Sequence, residues 1–71
     1  MRYLFQQSNG NSTTYAIVEK PSIKDGIVHA TQVGKIAGWN KAGDLCFQPC
    51  PPVDFIAGGG PWTLTEYQGQ L

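Results

Sequence analysis

The chain has 71 residues, five Lys+Arg balanced by five Asp+Glu, and only 14% of it is charged. That excludes a second domain, a coiled coil, a collagenous or disordered chain and a strongly basic nucleic-acid arm. Nine Gly and five Pro, with β-branched and aromatic residues outnumbering the strong helix formers, point to strands and turns.

Arg2 to Gln7 reads as a first strand, with Tyr3 and Phe5 on one face and Leu4 on the other. Ser8-Asn9-Gly10-Asn11-Ser12 follows as a hairpin turn, because Asn and Gly tolerate positive φ. Thr13 to Glu19 is the second strand, and Lys20-Pro21-Ser22 is expected to end it, since Pro cannot donate to a ladder. A turn at Lys24-Asp25-Gly26 launches Ile27 to Val33, partly apolar on both faces and therefore expected to be central. Lys35 to Trp39 either continues that strand past a bulge at Gly34 or stands alone. Asn40 to Asp44 is a hairpin loop, and Leu45 to Gln48 returns from it. Pro49-Cys50-Pro51-Pro52 is stiff and extended. Val53 to Ala57 fits either a short helix begun by Pro52 or a strand. Gly58-Gly59-Gly60-Pro61 is a joint, Trp62 to Tyr67 a last strand, and residues 68–71 a frayed tail.

Five or six short strands with no long helix predict one all-β domain over residues 1–71, a small barrel or rolled antiparallel sheet. An SH3-like barrel leads, ahead of an oligonucleotide-binding barrel and a curved sheet completed by dimerisation. The expected core is Leu4, Tyr15, Ile17, Val28, Ile36, Leu45, Phe47, Phe55 and Leu64. A chain this short buries about 60% of its unfolded surface, so a partner subunit would help it. No segment is long and apolar enough for a membrane span, and the polar run Gln6 to Thr14 leaves no room for a secretion signal. The expected setting is cytoplasmic and reducing.

Residues that could carry chemistry are few. Cys46 and Cys50, with His29, give three nitrogen or sulfur ligands where structural zinc takes four, so neither a metal nor another cofactor is expected. A disulfide between the two cysteines is disfavoured in a reducing compartment. His29 sits mid-strand, and Ser8, Ser12 and Ser22 lie in turns outside any nucleophile-elbow pattern. The glycines at 58–60 are followed by Pro and Trp, not by the Lys and Ser/Thr of a phosphate loop. No catalytic residue is assigned, and the chain is read as a non-enzyme.

Two binding readings remain. In the first, the chain is an interaction module, the kind of small accessory protein a bacterium or phage carries, that binds another protein or itself. Its contact residues are Trp39, Trp62, Gly59, Gly60 and Pro61, at loop edges where exposed tryptophans anchor partners. Homodimer and monomer stand on equal footing, because bare sheet edges in a neutral protein invite pairing. The plainer alternative has both tryptophans plugging the ends of the barrel. In the second reading, Tyr3, Phe5, Tyr15 and Lys20 on the first hairpin bind nucleic acid by stacking and charge, although five basic residues are few for that purpose. All five (Arg2, Lys20, Lys24, Lys35 and Lys41) precede position 42 and Asp44, Asp54 and Glu66 follow it, a charge split that could orient a docking surface.

Overall fold

The computed structural model describes residues 1–71. Five antiparallel strands, β1 (Arg2–Asn9), β2 (Ser12–Lys24), β3 (Ile27–Trp39), β4 (Leu45–Ala57) and β5 (Trp62–Tyr67), form one sheet in the order β4-β3-β2-β1-β5. No helix forms. Val53 to Ala57 completes β4, as its alternation favours: Phe55 and Ala57 turn inward while Asp54 and Ile56 are exposed.

The turn residues do what their chemistry allows. Gly10 has φ 62° between the paired Asn9 and Ser12. Asp25 and Gly26 both have positive φ (54° and 75°), the signature of a type I′ hairpin between Lys24 and Ile27. In the β3–β4 loop the Asn40 side-chain oxygen accepts the N–H groups of Ala42 and Asp44, each at 2.9 Å. Lys20-Pro21 does not end β2, contrary to the sequence expectation. The ladder shifts register between Glu19 and Ser22, so Pro21 sits where no bond to β3 is required. Lys20 takes a left-handed φ of 55° and turns the strand at that point.

The sheet is folded on itself. Phe5 of β1 and Phe55 of β4 lie three strand positions apart, roughly 14 Å in a flat sheet. Their ring centroids are 4.8 Å apart, edge to face. Between the two layers lie the buried Phe5, Ala16, Val18, Val28 and Ala30, ringed by Tyr3, Phe55, Ala57, Trp62 and Leu64. No ladder joins β4 to β5, so the sheet stays open and is not a closed barrel.

The expected core needs correction. Ile17 and Val28 are buried, but Leu4, Tyr15, Leu45, Phe47, Phe55 and Leu64 are only half-buried, and Ile36 is exposed. Phe5, Ala16, Val18 and Ala30 fill the centre instead. Ile17 is buried on the opposite face, paired with Gly34 and close to Leu71. The last four residues form no strand, and they curl back: the Tyr67 hydroxyl donates to the Gln70 carbonyl, and Leu71 is half-buried.

Candidate functional site

The β3–β4 hairpin outruns the rest of the sheet. β2 follows β3 only as far as the Ile17–Gly34 pair; its earlier residues pair with β1 alone. Beyond Gly34, β3 pairs only with β4, so residues 35–48 form a two-stranded arm. Leu45 and Phe47 are two apart on β4 and share a face. Their ladder partners are Trp39 and Ile36, with Ala37 bulged out between Ile36 and Gly38. Cross-strand partners also share a face. One side of the arm therefore carries Ile36, Trp39, Leu45 and Phe47. Phe47 is anchored edge to face on Tyr67, centroids 5.5 Å apart, while Trp39 is 67% exposed.

Trp62 is placed otherwise. Its ring stacks near Phe5 at 6.1 Å, and its indole N–H donates to the Gly26 carbonyl at 3.2 Å. It closes one end of the core with its polar edge satisfied, the plainer of the two roles the sequence offers. Gly59, Gly60 and Pro61 adjoin it in the β4–β5 link. That link is tied down by the buried Gln7, whose amide donates to the carbonyls of Gly58 (2.9 Å) and Gly60 (3.4 Å). The structure thus brings Gly59, Gly60, Pro61 and Trp62 together and leaves Trp39 apart. Gly26 precedes β3 and Trp39 ends it, and thirteen strand residues span on the order of 40 Å. The longest dimension of the molecule is 39 Å.

The residues expected to stack on bases do not form one surface. Phe5 is fully buried and Tyr3 half-buried on its face, whereas Tyr15, paired with Gln6, lies on the other face of the sheet. Of the four, Lys20 alone is exposed. This corrects the hairpin patch, whose alternation on paper ignores the second layer folded over Phe5.

One arrangement lies outside the sequence expectations. The two-residue turn at Asp25-Gly26 sets Ser22 opposite His29, and an open hollow of about 420 Å³ is lined by Ser22, Lys24, Asp25, Ile27 and His29. The turn signal alone could have given this pairing. A hydroxyl becomes a nucleophile when a base holds its proton and a third group orients the base. No hydrogen bond links Ser22, His29 and Asp25, and Ser22 and His29 are exposed. A second hollow, of about 390 Å³, is lined by Met1, Arg2, Glu19, Tyr67, Gln68 and Gly69, with Arg2 and Glu19 paired at 3.5 Å.

Cys46 and Cys50 are free, half-buried thiols on one strand, where residues four apart lie roughly 13 Å from each other, about twice the reach of a disulfide. No three His, Cys, Asp or Glu side chains converge as a ligand set. No helix is long and apolar enough to cross a membrane. Comparison with protein-family models, curated proteins and solved structures finds no match.

Proposed function

We propose that this protein is a non-enzymatic interaction module that binds another protein, or itself, through the apolar face of its β3–β4 arm. The observation that carries the reading is the exposed pair Trp39 and Ile36 on a two-stranded arm whose apolar face is covered only where Phe47 packs on Tyr67. A lone hairpin is marginal in water. An arm that displays a tryptophan gains stability when something covers it. Trp39 is 67% exposed, and fully covering a large apolar side chain is worth about 1.5–3 kcal/mol. Gly59, Gly60 and Pro61 flank a different end of the molecule and serve as a second contact point, with Trp62 as its base.

The folded meander is, in this reading, an unclosed SH3-like barrel. Its support is the strand order, the corner in β2 at Lys20 and a core pressed between two halves of one sheet. The nucleic-acid alternative has lost its stacking residue Phe5 to the core and is not favoured by any observation.

The test is sedimentation equilibrium and partner capture with wild type beside Trp39→Ser. Association through the arm, with itself or with a captured protein, should weaken at least about tenfold in Trp39→Ser, while the two dilute, unassociated chains melt at the same temperature. Wild type that stays monomeric to about millimolar concentration and retains nothing sensitive to Trp39 would overturn the proposal.

A further inference from the structure

The free edge of β5 can be read residue by residue. The Ser8 N–H donates to the Pro61 carbonyl at 3.1 Å, which makes that pair a hydrogen-bonded site of the β1–β5 ladder. Such sites alternate along an antiparallel pair. With Gln7 opposite Trp62, Phe5 opposite Leu64 and Tyr3 opposite Glu66, the residues bonded to β1 are Thr63, Thr65 and Tyr67. The N–H and C=O groups of Trp62, Leu64 and Glu66 therefore face away from β1. β5 pairs with no other strand, so these six groups have no partner in the chain.

The two edges of the sheet differ. β4 contains Pro49, Pro51 and Pro52 around an irregular stretch of ladder, the kind of feature that blunts an edge. β5 has no proline, no Lys or Arg, and Glu66 as its one charge. The tail does not shield it, because Leu71 turns back over Gly34 and Ile17.

We infer that β5 is where a second copy of this chain pairs, antiparallel, about a two-fold axis through Leu64. Leu64 then meets its own counterpart, Trp62 meets the partner's Glu66, and Glu66 meets the partner's Trp62. All six outward groups are used, which no other two-fold register within β5 achieves. Between these sites Thr63 faces the partner's Thr65 and Thr65 the partner's Thr63, at the closely spaced positions where threonine pairs are favourable. A foreign strand could use the same backbone groups, but this edge is complementary to itself in bonding and in its two threonine pairs. The chain has no net charge, so two copies meet without net repulsion. The inference rests on the reading of the chain as an association module and uses a different surface from the arm.

Two measurements test it. In a Cys46→Ser/Cys50→Ser background, Thr63→Cys and Thr65→Cys chains are mixed and mildly oxidised. Paired sites of this spacing suit a disulfide, so the mixture should give several-fold more cross-linked dimer than either chain alone. Equal yields, or a larger yield from one chain alone, would overturn the register. In sedimentation equilibrium, Thr63→Lys/Thr65→Lys sets like charges opposite one another on exposed positions. It should weaken the dimer at least about tenfold with the melt of the dilute monomer unchanged, while Trp39→Ser leaves the dimer intact. If Trp39→Ser dissolves the dimer and the lysine variant does not, the edge inference fails and the arm reading stands. Wild type that is monomeric to about millimolar concentration, yet captures a protein through Trp39, likewise removes the edge dimer and keeps the arm.

Discussion

Gly34→Ala isolates the packing on the second face of the sheet. Gly34 is buried and its φ lies outside the left-handed region, so alanine can adopt its backbone. Loss of unfolded-chain entropy alone would then stabilise the variant by about 0.4–1 kcal/mol. The new methyl, however, would lie 2.8 Å from Leu71 Cδ2, 2.9 Å from Ile17 Cβ and 3.1 Å from Ile17 Cγ1. Leu71 can swing its tip away. Ile17 cannot, because its Cβ is fixed to a buried backbone that pairs directly with Gly34. Overpacking of this kind costs about 1–3 kcal/mol, so the net loss should centre on about 1.3 kcal/mol. In a domain of this size that lowers the melting temperature by about 5–10 °C. Thermal melts followed by circular dichroism, with Leu71→Ala and the double variant alongside, make the measurement. Truncating Leu71 should not restore Gly34→Ala to the stability of Leu71→Ala alone. A variant as stable as wild type, or fully restored in the double, would refute the steric argument.

Three other substitutions probe the core and the β4–β5 link. Phe5→Ala empties the centre of the core and should cost about 3–5 kcal/mol, enough to abolish the cooperative melt of so small a domain. Gln7→Leu removes the donor to the Gly58 and Gly60 carbonyls. It should cost about 1–3 kcal/mol, with faster proteolytic cleavage in the 58–61 link as the second readout. Trp62→Phe keeps an aromatic ring against Phe5 but loses the bond to Gly26, and should cost about 0.5–1.5 kcal/mol by urea titration.

Turn chemistry was the most legible part of the fold. Gly10, Asp25-Gly26, Gly43 and Gly59 mark the reversals because only particular residues accept those dihedrals, and they separate the five strands, although the full length of β2 and of β4 was not legible from them. Pro21 misled, since a proline stops a ladder only where its missing N–H would have been used, and a register shift removes that need. Faces were harder to assign. β1 and β2 are apolar on both sides, and alternation cannot say which side a folded-over layer will cover; Phe5 and Leu4 exchanged roles for that reason. Of the candidate site, Trp39 could be read as exposed from its place beside a loop. Trp62 has the same local context, but a contact 36 residues away in sequence, at Gly26, commits it to the core. The apolar face of the arm depends on the bulge at Ala37, whose local signal, the positive-φ Gly38 beside it, the sequence expectation missed.

If Trp39 is the residue a partner covers, its own fluorescence registers the covering. In Trp62→Phe, the remaining indole is Trp39, 67% exposed in the isolated chain. Acrylamide quenching is measured on the dilute protein and again on the complex captured through the arm. Emission should be red-shifted and efficiently quenched when dilute, then blue-shifted with several-fold weaker quenching in the complex. A complex that forms in full while Trp39 stays as red and as quenchable as in the dilute protein would show that the arm is not the binding face.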